Sequence, residues 1–375
     1  MLIQSMQLKN YRCFKDFVID FDDRLTVLVG VNGAGKTATL DALSAFLKWA
    51  GHPITRRERF TIPQNDIAID STPESIVYCI NIKHNMSDNS DDGELLFKYN
   101  NTHYQNIQLS IPMEFRLVIE SLDVENPLFA AYMAGRFISE NDSVLRNNII
   151  SPSKYAAYEN SFNRTIDFTS TISWFDKADA DEARTMRDNG TKDELPELAA
   201  VREALSKALL GQYERPRMIG NPPELIVYQK ETQQAYKVSQ LSDGYRSMLA
   251  LVMDLARRMA QSGSEANTKS TEGSFLKKSA IVLIDEVELH LHPSWQQTVL
   301  TTLMDIFPNT QFIVTTHSPQ ILTSIPPKHI RILSDGKAYT YNEQTQGVEA
   351  SRLLKRVFGV DPRPASLEIV KALNE

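Results

Sequence analysis

The sequence predicts an α/β fold on three observations: an apolar β-branched run leading into a glycine-rich loop and a helix, a second apolar run ending in two acids, and a third ending in histidine. In chain order, residues 3–8 and 17–21 read as strands. LTVLV at 25–29 follows, and its continuous apolarity fits a buried strand. GVNGAGKT at 30–37 then matches G-x-x-x-x-G-K-[ST], whose backbone N–H groups at a helix start close around phosphate oxygens. The candidate nucleotide-binding residues are therefore Gly30, Asn32, Gly33, Ala34, Gly35, Lys36, Thr37 and Ala38. Lys36 would neutralise β and γ phosphates, and Thr37 would hold Mg²⁺. Leu40, Leu43, Phe46 and Leu47 continue at helical spacing.

Residues 75–83 and 94–99 are β-patterned around an acidic turn, as in a hairpin. From 106 to 228 the pattern is predominantly helical, most clearly over 127–136, 162–187 and 195–210, before two short strands at 225–228 and 235–238. LSDGYRS at 241–247 then opens an amphipathic helix. Ser242 and the Gly244 backbone at its start form an anion site with no lysine of its own, one that requires a phosphate held elsewhere. After a polar stretch at 261–273, the run at 281–284 reads as a buried strand that delivers Asp285 and Glu286 to its C-terminal edge, where open α/β sheets bind ligands. Asp285 is a candidate Mg²⁺ ligand, and Glu286 a candidate catalytic group that orients and polarises water. Residues 310–316 form the next parallel strand and end at His317, a second candidate catalytic residue. Beyond it, Ser-Asp-Gly-Lys at 334–337 marks a hairpin, and 351–358 and 365–373 read as short helices.

With 375 residues, 42% of them hydrophobic, the chain exceeds the usual size of one domain. Its net charge of −7 argues against an extensive nucleic-acid surface on the chain alone, although Arg56, Arg57 and Arg59, and Arg352, Lys355, Arg356 and Arg363, form local basic groups. Cys13 and Cys79 have no metal-ligand spacing. No run approaches the length of a membrane span, and the start lacks a secretory pattern, so a cytoplasmic protein with no membrane partner is expected.

GVNGAGKT, LSDGYRS within VSQLSDGYRSMLALVMDLARRMA, IDEVELHLHPSWQ, TTHSP, the WF pair at 174–175 and the terminal FGVDPRP together resemble the ABC-type AAA-family ATPases related to RecF and OLD proteins. Within these, they are most similar to the PtuA-type ATPases of Septu and retron anti-phage systems. The resemblance implies an ABC-type P-loop nucleotide-binding domain with a mixed sheet and an inserted helical lid. It divides the chain into an ATPase lobe at 1–105 and 229–345, a lid at 106–228, and a helical segment at 346–375. It implies ATP and Mg²⁺, and head-to-tail dimers in which Ser242, Asp243 and Gly244 close on the nucleotide of a second copy. His317 takes the place of the switch histidine, and Gln64, with Asp66 as a rival, that of the Q-loop residue completing the Mg²⁺ shell. Arg12 sits where such ATPases often carry a basic residue near the nucleotide. OLD nucleases carry a Toprim domain after the histidine, for which the residues here are too few. The resemblance therefore implies a separate HNH-type nuclease as partner, with a retron reverse transcriptase and its nucleic acid as further candidates. RecF-like binding of DNA ends or gaps, and a low-turnover ATP-bound scaffold holding a toxin or nuclease, are the alternatives.

Overall fold

A computed structural model describes residues 1–51, 64–68, 71, 77–85, 92–100, 127–134, 157–158, 160–162, 168–190, 193–220, 224–262 and 275–362. Its centre is a six-stranded sheet in the order β13-β12-β3-β11-β10-β6. The strands are β3 (Leu25–Val29), β6 (Leu128–Tyr132), β10 (Ala280–Ile284), β11 (Thr310–Thr315), β12 (Ile330–Ser334) and β13 (Lys337–Thr340). All neighbours run parallel except β12 and β13, so the sheet is mixed. The antiparallel pair closes through Asp335-Gly336, both at positive φ (52° and 70°), the two-residue turn whose twist matches a hairpin.

Both faces of this sheet are covered, which is why its central strands are apolar without alternation. Val282, Ile284, Phe312 and Val314 face one core cluster with the helices Pro196–Ala208 and Asp243–Gln261. Ile281, Leu283 and Ile313 face the other with the helix Lys36–Gly51. Outside that helix lies a four-stranded antiparallel sheet, β2-β1-β4-β5, made of β1 (Leu2–Tyr11), β2 (Phe14–Asp20), β4 (Val77–Asn85) and β5 (Asp92–Asn100). Gln311 ties the two sheets, accepting from the Ile3 amide at 2.9 Å and donating to the Ile3 and Asp22 carbonyls at 2.8 and 3.0 Å. A three-stranded antiparallel sheet, β7 (Arg217–Ile219), β8 (Glu224–Tyr228) and β9 (Ala235–Lys237), precedes the helix that starts at Asp243.

The helix expected over 127–136 is instead β6, paired in parallel with β10 from Leu128↔Ala280 to Tyr132↔Ile284. LFAAY is apolar throughout and buried at every position, so it carries no polar face from which to read a period, and the open edge of β10 decides its conformation. The helical expectations at 162–187 and 195–210 correspond to Phe168–Asn189 and Pro196–Ala208. Arg202 clamps these two helices together, 2.5 Å from Asp179 and 2.8 Å from Glu182. Phe175 is fully buried and Trp174 packs against the same core. The expected helix at 365–373, the loop at 263–273 and the arginines at 56, 57, 59 and 363 lie outside the described residues.

Candidate functional site

β3, β11 and β10 are neighbours and parallel, so their carboxyl ends deliver the glycine loop, the TTHSP segment and the acid pair to one edge of the sheet. The loop from Gly30 leads directly into the helix that begins at Lys36. Gly35 has φ 98°, and a Cβ there would stand 2.3 Å from the Phe14 ring; glycine is required both by the backbone and by β2 behind it. Lys36 is 6% exposed, and its Nζ donates to the Gly30 and Val31 carbonyls at 2.8 and 3.1 Å, so the ammonium is held inside the curve of the loop. Burial pulls its pKa below the ordinary lysine value, while Asp285, Glu286 and Glu288 pull the other way.

Thr37 Oγ1 reaches the Asp285 carboxylate at 3.2 Å, which puts two hard oxygens side by side, a pair that could hold Mg²⁺. Asp285 is buried, and Thr315 Oγ1 donates to its Oδ1 at 2.6 Å. The same Thr315 oxygen accepts the Glu286 amide at 2.7 Å. One threonine at the end of β11 thus fixes both acids at the end of β10. Glu286 itself adopts φ 46°, a left-handed backbone two residues past the end of the strand. His317 follows on β11, and its amide donates to Glu288 Oε1 at 2.6 Å.

Arg12, Cys13, Asn32, Gly33, Gly35, Lys36, Thr37, Ala38, Asp285, Glu286 and His317 line a single open cleft of about 520 Å³. Arg12 is pinned there by Asp66 at 2.7 Å and Asp41 at 2.5 Å. Burial opposes its charge, but the hydrogen bonds to Asp66 and Asp41 outweigh it and raise its pKa. Gly30 and Ala34 belong to the same loop without lining the cleft. Gln64 opens a 3₁₀ turn, Gln64–Asp66, and its side chain lies outside the described residues.

Ser242, Asp243 and Gly244 are not on this cleft. They start the helix Asp243–Gln261, with Ser242 in N-cap geometry but making no side-chain cap bond and Asp243 paired to Arg246 at 2.6 Å. Gly244 packs against the turn that follows Glu286: a Cβ on it would stand 2.7 Å from the His290 carbonyl oxygen. The helix start is therefore set beside the acid-bearing turn and off the cleft that holds the chain's own Lys36.

Thr315 and Glu288 carried no signal in the sequence, because a threonine in a strand and an acid in a turn are ordinary; only the pairing of β10 with β11 gives them their contacts. No helix among the described residues is long and apolar enough to cross a membrane.

A protein family described as "AAA domain, putative AbiEii toxin, Type IV TA system" matches residues 25–323, which run from β3 through the segment after His317. The Retron Ec83 probable ATPase of Escherichia coli is 28% identical over 448 residues, covering 100% of this chain and 79% of its own length. The Retron Vc95 probable ATPase of Vibrio cholerae is 27% identical over 393 residues, covering 89% of this chain and 73% of its own. Septu protein PtuA of Bacillus thuringiensis is 30% identical over 144 residues, covering 36% of this chain and 35% of its own. The chain belongs to this AAA-domain family, as an ABC-type member related to RecF and OLD proteins.

Proposed function

We propose that this chain is an ATP-binding and ATP-hydrolysing subunit of an anti-phage defence complex, in which two copies close head to tail over two nucleotides and thereby control a separate nuclease of HNH type. The observation that carries the reading is a division of groups. Lys36, Thr37, Asp285, Glu286 and His317 share one cleft, and Ser242, Asp243 and Gly244 stay off it. A helix start with free-standing anion affinity but no phosphate of its own chain is complementary to a nucleotide held by another copy.

In this reading Lys36 and the amides around Gly33 and Gly35 hold the β and γ phosphates, and Thr37 with Asp285 holds Mg²⁺. Mg²⁺ held by Thr37 and Asp285 would supply neutralisation of phosphate charge. Glu286 accepts a hydrogen bond from the attacking water and orients it in line with the γ-phosphorus. His317 donates to a γ-phosphate oxygen, and Ser242 and the Gly244 amide of the second copy close the opposite side. The similarity to retron ATPases and to PtuA supports the defence setting, a cytoplasmic location, and a nuclease or a retron reverse transcriptase with its nucleic acid as partner.

Phosphate release by the purified chain, alone and after co-expression with the products of neighbouring reading frames, tests the reading. The expected result is Mg²⁺-dependent turnover that Glu286→Gln lowers at least about 100-fold. Turnover indifferent to that substitution would contradict it.

A further inference from the structure

We propose that Glu288 is a positioning residue that sets the switch histidine, His317, through its backbone; this rests on the ATPase reading above. Glu288 does not line the cleft. Its Oε1 accepts the His317 amide at 2.6 Å, a charge-assisted bond of the stronger kind. Its Oε2 is buried and has no hydrogen-bond partner among the described residues. A buried polar atom without a partner costs folding free energy, so packing alone does not account for this side chain.

The turn around Glu288 is built to aim it. Glu286 at φ 46° and His290 at φ 65° bracket it in left-handed backbone. The Leu289 amide donates to Glu286 O at 2.9 Å, the Leu291 amide to Glu288 O at 2.8 Å, and the Val287 amide to Thr315 O at 3.0 Å. Val287 is buried beneath, so the two acids two residues apart separate in role: Glu286 to the cleft, Glu288 to the amide of the residue that follows β11 and Thr316. On the other side His317 is followed by Ser318, whose hydroxyl accepts the Gln320 amide at 3.1 Å and starts the next helix, Pro319–Leu322. The histidine therefore hangs between a helix cap and the Glu288 carboxylate. Loss of that carboxylate frees the backbone that carries the ring.

The test is MgATP turnover by Glu288→Ala, Glu288→Gln, Glu288→Asp, His317→Ala and the Glu288→Ala/His317→Ala double variant, with binding of a fluorescent ATP analogue and thermal unfolding measured on each. Glu288→Ala should lower kcat roughly 10- to 100-fold, the cost of a misplaced catalytic group, with ATP affinity within about threefold of wild type. Glu288→Gln, whose amide oxygen can accept the same N–H, should recover most of that loss. Glu288→Asp, which keeps the charge but not the reach, should not. The double variant should be no slower than the slower single one, because both changes act on the same ring. If Glu288→Ala does not fold, the order of the other two decides: Asp faster than Gln overturns the proposal, as does a Glu288→Ala enzyme as fast as wild type. Hydrogen exchange at the His317 amide reads the same bond without any turnover, and should be slow in wild type and Glu288→Gln and fast in Glu288→Ala. Equal exchange rates would overturn the proposal, whereas wild-type protein without MgATP turnover would instead overturn the ATPase reading.

Discussion

Asp254, in the middle of the helix that begins at Asp243, is fully buried and accepts from Arg257 and Arg258, each at 2.7 Å, from Tyr132 Oη at 2.8 Å and from Thr171 Oγ1 at 3.4 Å. Burial alone would raise its pKa; the two guanidinium charges and their hydrogen bonds overcome this and hold it well below the usual carboxylate range. The folded-state pKa is thus depressed, so this acid contributes stability that is present above its unfolded value of about 3.9 and lost as pH falls through the folded value. Asp254→Asn should cost about 3–5 kcal/mol at pH 7 by denaturant unfolding, because it leaves two buried arginines without their counter-charge. The wild-type advantage should hold from pH 8 to 5 and shrink below pH 4; an advantage that grows on acidification would contradict the assignment. None of this was legible in the sequence, where MDLARRMA reads only as one stretch of an amphipathic helix. By contrast the gathering of Gly35, Lys36 and Thr37 with the acids Asp285 and Glu286 was legible, because the motif they fit restricts residue type at fixed spacing.

At the scale of elements, legibility follows whether an element's conformation is set locally. β3, β10 and the Asp335-Gly336 hairpin were readable because β-branched runs and a positive-φ dipeptide decide them within a few residues. β6 was not, because its Ala-containing run takes a strand conformation only from the hydrogen bonds that β10 offers. The helix Asp243–Gln261 was readable as an amphipathic helix, but its seat against the turn at His290 was not. That seat makes a sharp prediction. Gly244→Ala forces the helix start away from the His290 carbonyl, 2.7 Å from the added Cβ, without touching any residue that lines the cleft. ATP affinity should stay within about threefold while turnover falls at least about tenfold, since in the proposed dimer a shifted helix start would lose its aim at the nucleotide of the other copy. An equal loss of affinity and turnover would place Gly244 at the chain's own nucleotide instead.

For the whole molecule, a sheet covered on both faces fixes three loop ends along one edge, and the cleft there gathers Lys36, Thr37, Asp285, Glu286 and His317 but not the helix start at Ser242. In the proposed reading the chain is half of an active site twice over, with one cleft and one helix start that lies off it. Association of two copies would then complete two sites at once, and nucleotide would become the glue of the interface, with affinity linked to dimerisation by mass action. A nuclease that binds only one of the two states would be controlled by the nucleotide without any catalytic group on this chain. The most direct measurement is sedimentation of the Glu286→Gln variant with MgATP. The account predicts a stable dimer that forms with ATP, dissociates to single chains without it, and is weakened by Ser242→Arg. A Glu286→Gln chain whose assembly state is the same with and without MgATP, and unaffected by Ser242→Arg, would contradict it.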